Sequence, residues 1–98
     1  MGFRRAAAID ANQPEIVKAL RQMGAFVLIT SQLKNAFDIL VAYNSKWYAM
    51  EIKDGTKPPS ARKLSAGEKI CKKQVEATGC TYYVVNSIDE AIEVILYK

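Results

Sequence analysis

FDILVAYNSKWYAMEIKDG, residues 37–55, is the stretch that decides the fold of this chain. Two apolar runs within it flank the turn-forming triplet Asn44-Ser45-Lys46, a pattern that predicts a β-hairpin. Asp38 lies inside the first run, and Glu51 and Lys53 lie inside the second. A buried carboxylate is costly unless a neighbour compensates it. A hairpin would bring the two acids and the lysine to one place, so this stretch also predicts a site.

The length and composition of the chain fit one domain. Its 98 residues are half hydrophobic, enough for one core, and we expect a single domain over 1–98 with a flexible N-terminal segment over 1–10. No run approaches the roughly 20 apolar residues of a membrane span. The apolar run 6–9 is too short for a signal peptide. These features predict an intracellular, cytoplasmic protein without membrane association.

The chain contains no histidine and two cysteines, Cys71 and Cys80. The lack of histidine excludes most zinc sites and catalysis by Ser/His or Cys/His pairs. Two cysteines cannot complete a thiolate cage, so we interpret them as small core residues or free thiols.

Positive charge is concentrated directly after the candidate site. Residues 53–73 contain seven basic and two acidic residues, whereas the whole chain has a net charge of +4. Such a segment suits a phosphate backbone, although a solvated surface would have the same composition. The predicted DNA-binding residues are Lys57, Arg62, Lys63, Lys69, Lys72 and Lys73.

The remaining pattern predicts the order helix, three strands, helix, strand, helix. Three capping-box patterns begin the helices, at Asn12/Glu15, Ser65/Glu68 and Ser87/Glu90. The predicted strands are 25–30, 37–43, 47–53 and 81–85. Because the last strand follows a helical crossover, we expect it to be parallel to a strand of the hairpin set. The fold class is therefore α/β (α+β), a mixed four-stranded sheet flanked by helices.

The chemistry predicted for the hairpin is metal-assisted phosphodiester hydrolysis. Side chains alternate along a strand, so Glu51 and Lys53 share a face that Asp38 can reach from the paired strand. Two carboxylates with a backbone carbonyl and water suit Mg²⁺ or Mn²⁺. Such an ion would acidify a water and neutralise charge on the scissile phosphate, and Lys53 would position the water or stabilise the phosphorane. The alternative is that these residues are cross-strand pairs facing water.

A long loop separates this hairpin from the second predicted helix. Asp54-Gly55 ends the strand, and Pro58-Pro59 is expected to prevent regular structure. Long loops in compact domains are usually functional or disordered.

The order of elements, with Asp followed by Glu-x-Lys on the next strand, resembles the PD-(D/E)XK nuclease superfamily. More narrowly, the chain is similar to the small stand-alone VRR-NUC proteins of phages and prophages, which are Holliday-junction-resolvase-like. The resemblance covers about residues 11–96. Its motifs are NAFDILV at 35–41, AMEIKDG at 49–55, KPPS at 57–60 and KLSAGE at 63–68, with Phe37 in place of the family's proline.

The resemblance implies an αβββαβ restriction-endonuclease-like core with a C-terminal helix. It implies Asp38, Glu51 and the carbonyl of Ile52 as ligands of Mg²⁺ or Mn²⁺, with Lys53 as the catalytic lysine. Glu15 matches an acid that some members add from the first helix, and Glu68 falls where members often have Gln or Glu. Glu15 is also explained as the capping partner of Asn12, and Glu68 is better explained as the capping partner of Ser65.

The expected function is therefore a metal-dependent endodeoxyribonuclease, encoded by a phage or prophage and acting on Holliday junctions, flaps or nicked duplexes. Two symmetric incisions at a junction would require a homodimer. One alternative is a module of the same fold that binds nucleic acid without cleaving it. Another is an interaction protein whose basic surface binds an acidic partner.

Overall fold

The computed structural model describes residues 10–98, so the predicted N-terminal segment lies outside the described residues except for Asp10. These residues form one four-stranded sheet, three α-helices and a short 3-10 helix. The elements in chain order are α1 (Gln13–Gln22), β1 (Phe26–Ile29), β2 (Ile39–Tyr43), β3 (Lys46–Ile52), the 3-10 helix (Pro59–Arg62), α2 (Ala66–Ala77), β4 (Tyr82–Val85) and α3 (Ile88–Tyr97). The predicted order of helices and strands is confirmed. Within this part of the chain, no helix is long and apolar enough to cross a membrane.

The sheet has the order β1-β2-β3-β4. The first three strands are antiparallel neighbours, and β4 is parallel to β3. A parallel neighbour requires a crossover, which α2 supplies between β3 and β4. The predicted mixed sheet is therefore confirmed.

The hairpin between β2 and β3 is tighter than its sequence indicated. Tyr43 pairs with Lys46, so the turn consists of Asn44 and Ser45 alone. Both residues have left-handed backbone conformations, with φ of 50° and 69°. Two consecutive positive φ values are the signature of a type I′ turn, whose twist matches that of the strands it joins. The turn fixes the register, which pairs Ile39 with Met50.

The two faces of the sheet are covered unequally. Alternate strand residues such as Ile39, Val41, Met50 and Ile52 are fully buried, in a core shared with α1 and α3. The opposite face meets α2, whose main sheet partner is β4 and every residue of which keeps at least partial exposure. This second face carries the odd-numbered residues of β3, and hence Glu51.

The ends of the helices agree only in part with the predicted caps. Ser65 and Glu68 form a complete capping box at α2, and Ser87 accepts the Glu90 N–H at α3. The box predicted at α1 is wrong, because the Asn12 side-chain amide instead donates to the carbonyls of Lys53 and Asn86, at 3.1 and 3.2 Å. Asn12 therefore ties α1 to the ends of β3 and β4.

The loop after β3 contains more order than its two prolines suggested. The expectation of no regular structure is wrong, because Pro59 begins the 3-10 helix, where its fixed φ is compatible with the first turn. The Arg62 Nε donates to the Lys57 carbonyl at 2.8 Å and closes the loop on itself. At the strand end, the Gly55 N–H donates to Asn86, and a Cβ on Gly55 would come within 2.6 Å of that carbonyl oxygen.

Candidate functional site

Asp38 lies one residue before β2 rather than inside it. Its backbone still continues the sheet: the Asp38 N–H donates to Met50, and its carbonyl accepts from Thr30. The side-chain Oδ2 accepts the N–H of Ile52 at 2.8 Å. The β3 strand extends beyond the first residue of β2, so the Ile52 N–H has no backbone acceptor on that strand. The Asp38 side chain supplies the acceptor instead.

Glu51 is 4% exposed, and it points to the face of the sheet that α2 covers. The Lys53 ammonium lies 3.3 Å from Glu51 Oε2 and 3.2 Å from Glu68 Oε1. A lysine thus bridges an acid of β3 and an acid of α2. The structure brings four predicted site residues together at this point: Asp38, Glu51, Lys53 and Glu68.

Glu68 has both of the roles left open by the sequence. Its Oε1 accepts the Ser65 N–H at 2.9 Å, which completes the capping box, and the same oxygen accepts from Lys53. Its pKa is lowered even though burial opposes this, because both donors stabilise the carboxylate. The helix cap therefore supplies a charged group to the site.

The two central carboxyls are poor acids in this environment. Burial, followed by the charges of Asp38 and Glu68, raises the pKa of Glu51 from 4.5 to about 8. Burial also raises the pKa of Asp38, although the bond from Ile52 favours its charged form. Burial disfavours the Lys53 ammonium, but its bond to Glu68 and the charge of Glu51 outweigh this and raise its pKa. Lys53 is therefore a persistent cation beside two crowded acids.

These groups line an open cavity of about 400 Å³. One wall is the connection from β1 to β2, and the other is formed by Lys63, Ser65 and Glu68 at the start of α2. Within residues 10–98, no three acidic or cysteine side chains are arranged so that they could hold a metal ion together. An ion at the acid pair would therefore need main-chain and water oxygens as well.

Glu15 lies elsewhere. It is exposed on α1 and lines a separate cavity of about 300 Å³ with Asp54, Arg62 and Glu90. The structure therefore separates this glutamate from the group around Glu51.

The predicted DNA-binding residues occupy three positions. Lys63 lines the acid cavity, Lys57 and Arg62 belong to the preceding loop, and the remaining three lie on α2. On α2, Lys72 pairs with Glu76 at 2.8 Å, whereas Lys69 and Lys73 are exposed.

Sequence reasoning missed three polar residues of the cavity, Asp10, Ser31 and Lys34. Asp10 falls at the end of the segment expected to be flexible, although its carbonyl accepts the Gln13 N–H at the start of α1. Lys34 could have been noticed as a phosphate-binding candidate, because it is a basic residue only four positions before Asp38 in the sequence. The cysteines are free thiols, with Cys80 exposed and Cys71 partly buried, so neither belongs to the core.

The fold is similar to that of a solved structure described as a VRR_NUC domain. The match covers 91% of this chain and 100% of that chain, with a TM-score of 0.63 and 17% sequence identity. No family model and no curated protein matches the chain. At this identity the likeness concerns the fold, and it confirms the predicted restriction-endonuclease-like core. The chain therefore has a nuclease-like fold.

Proposed function

We propose that this protein is a Mg²⁺- or Mn²⁺-dependent endodeoxyribonuclease that hydrolyses phosphodiester bonds in structured or branched DNA. The observation that carries the proposal is the convergence of Asp38, Glu51 and Lys53 at an open cavity, on a nuclease-like fold. Chance surface pairs would not leave Glu51 4% exposed with a raised pKa. Strongly shifted pKa values in a cleft are typical of functional sites.

The donor set at this point fits a hard divalent cation. Two crowded carboxylates repel each other, and a cation between them would relieve the repulsion that raises their pKa. We propose Asp38, Glu51 and the carbonyl of Ile52 as the ligands. The Ile52 N–H points to Asp38, and the carbonyl of a strand residue lies on the same side as its N–H. When bound, the ion would lower the pKa of a water and neutralise charge on the phosphate.

The protein's own groups would orient the reaction. The bond from Ile52 fixes the Asp38 carboxylate through its Oδ2. Lys53, held between Glu51 and Glu68, would donate to the attacked phosphate or to the attacking water. Lys34 and Lys63, on opposite walls of the cavity, would bind the flanking phosphates.

The test is a cleavage assay on labelled duplex, nicked duplex, flap, Holliday junction and single strand, with Mn²⁺, Mg²⁺ or chelator. We expect metal-dependent cleavage by the wild type, a loss of at least about a hundredfold in rate for Asp38→Asn and Glu51→Gln, and DNA affinity within a few-fold. Glu93→Gln, an exposed acid on α3, is the matched control and should keep full activity. Full activity in the Asp38 and Glu51 variants would overturn the metal site. Tight DNA binding without cleavage would favour the non-catalytic module, and failure to bind any DNA would favour a protein partner.

We also propose a homodimer that meets through the second face of the sheet. Phe26, Leu28 and Trp47 are 56%, 47% and 63% exposed there, and the Phe26 and Trp47 rings stack edge to face. Their neighbours across the strands are the apolar Leu40, Ala42 and Ala49. The patch itself contains no charged side chain, so two copies with a net charge of +4 each would bring no like charges together within it.

A further inference from the structure

The connection between β1 and β2, residues 30–38, places an apolar side chain beside a charged cavity. Leu33 is 61% exposed and lines the cavity next to Lys34. A single exposed leucine is normal on a protein surface. Its position, in the lining of the cavity that contains the acid pair, makes this one unusual.

The connection is braced by hydrogen bonds at both of its ends. The Leu33 N–H donates to the Thr30 carbonyl at 2.8 Å, and the Thr30 hydroxyl donates to the Phe37 carbonyl at 2.6 Å. The Tyr82 hydroxyl, which reaches across from β4, donates to the Ala36 carbonyl at 2.7 Å. Leu33 is therefore carried by a short segment whose backbone is fixed to the sheet.

Helix α2 supports the same segment from the other side. Asn35 has a left-handed conformation, with φ of 59°, and its side chain packs directly on Gly67. A Cβ at position 67 would overlap the Asn35 side chain, so only glycine permits this approach. The contact packs this part of the cavity lining against the first turn of α2.

We propose that Leu33 is a wedge that enters between two stacked bases beside the attacked phosphate, while Lys34 binds the neighbouring phosphate. The inference rests on the proposed nuclease function and extends it to the kind of DNA preferred. Proteins that insert a leucine or similar side chain between bases must unstack one step and kink the duplex. A rigid segment suits this role, because a flexible one would fold back and leave the stack intact.

Leu33 then makes the enzyme favour DNA whose stacking is already interrupted. At a nick, a flap or a branch, one base step is free of part of its stacking, so insertion costs less there than in continuous duplex. The preference arises from deformability and needs no base-specific contact.

The experiment compares wild type, Leu33→Ser, Leu33→Met and Leu96→Ser on intact and nicked duplexes of one sequence. Single-turnover cleavage is measured with Mn²⁺. Unstacking is measured separately with Ca²⁺, from the fluorescence of a 2-aminopurine placed beside the nick. Leu96 is the matched control, because it is also a large exposed apolar residue but lies on α3, across the sheet.

We expect Leu33→Ser to lower the rate on nicked DNA by roughly tenfold or more and the rate on intact duplex by much less, so that the preference disappears. The 2-aminopurine signal should disappear together with the preference for nicked DNA. Leu33→Met should keep both the preference and the signal, and Leu96→Ser should change neither of them. An unchanged preference and an unchanged signal in Leu33→Ser would overturn the wedge, even with cleavage intact. If the wild type cut neither duplex, the nuclease function would fail, and the fluorescence alone would decide whether Leu33 unstacks bound DNA.

Discussion

Asp38 combines a structural bond with a charge that destabilises its surroundings. Its Oδ2 accepts the Ile52 N–H, whereas its negative charge raises the pKa of Glu51. Asparagine keeps an acceptor oxygen and removes the charge. Alanine removes both and leaves a donor unpaired beside the core.

We therefore expect two substitutions at this residue to differ in the metal-free protein. Asp38→Asn should be as stable as the wild type or more stable, and Asp38→Ala should lose about 1–3 kcal/mol because the Ile52 N–H is left unsatisfied. Urea unfolding in chelator measures both. Mn²⁺ should raise the melting temperature of the wild type and have little effect on either variant. Equal losses in the two variants would show that the hydrogen bond is not what Asp38 contributes.

Glu51 should give the metal-free protein an unusual pH dependence for a carboxyl group. Its pKa in the folded state, about 8, lies above the ordinary 4.5, so between these values the folded chain holds a proton that the unfolded chain has released. Stability should consequently fall as the pH rises from about 5 to 8 and level off above that range. Glu51→Gln should abolish most of this slope, whereas Glu93→Gln should retain it. Unfolding curves at three pH values in chelator are sufficient, and a wild type whose stability rises across this range would contradict the assignment.

At the scale of elements, the charges of α2 are not equivalent. Lys69 and Lys73 are exposed, but Lys72 already pairs with Glu76 at 2.8 Å. Lys63, just before the helix, lines the acid cavity. Three lysines at and before this helix, Lys63, Lys69 and Lys73, therefore lie outside the Lys72–Glu76 ion pair.

Neutralising Lys63, Lys69 and Lys73 to glutamine should flatten the logarithmic dependence of DNA affinity on salt. The slope should fall by about 0.9 for each phosphate that a lysine no longer neutralises. Lys72→Gln should have a smaller effect, and Lys18→Gln, on α1, should have almost none. Fluorescence anisotropy across a salt series measures the slopes. A Lys18 effect as large as that of the α2 residues would place the DNA on the opposite side of the sheet.

The sequence predicts elements well where their signals are local, and less well where a distant partner decides. The type and order of the helices and strands follow from hydrophobic period and from caps such as Ser65. Asn12 has the sequence of a cap but donates to Lys53 and Asn86, residues 41 and 74 positions away. The apolar neighbours of Asp38 predict a position inside a strand. Its side-chain carboxylate, however, accepts the Ile52 N–H of β3 in place of a backbone carbonyl. Such roles are set by tertiary contacts, which no local pattern encodes.

The site shows the same division. The acids and Lys53 can be identified from sequence because charged residues interrupt apolar runs. The placement of Glu68 beside Lys53 depends on where α2 packs against the sheet. The sequence also cannot show that Glu15 lies in a different cavity, because this depends on how α1 packs. Leu33 carries no signal, because only the folded chain brings it to the rim of the cavity.

For the whole molecule, one face of the sheet is covered by helices more fully than the other, and we expect two protein molecules to associate through the less covered face. The core face is closed by α1 and α3, while Phe26, Leu28 and Trp47 remain open on the other face. Sedimentation equilibrium should find a dimer for the wild type and a monomer for Trp47→Lys, because a charge at the centre of an apolar contact is left unpaired. Leu96→Lys, on α3, should remain dimeric. A wild type that is monomeric at about 100 μM, in the range of weak complexes, would rule out this association.

Arg21 covers part of one edge of the sheet. β1 forms one edge of the sheet and consists of four consecutive apolar residues, Phe26–Ile29, a composition prone to pairing with other chains. The Arg21 guanidinium reaches over from α1 and donates to the Val27 carbonyl at 3.0 Å, which occupies an acceptor that an incoming strand would need. A bulky cation at that position would also repel the same edge of a second copy. We therefore expect loss of the Arg21 side chain to expose this edge and to lower the solubility of the protein during expression, because an open apolar edge favours aggregation.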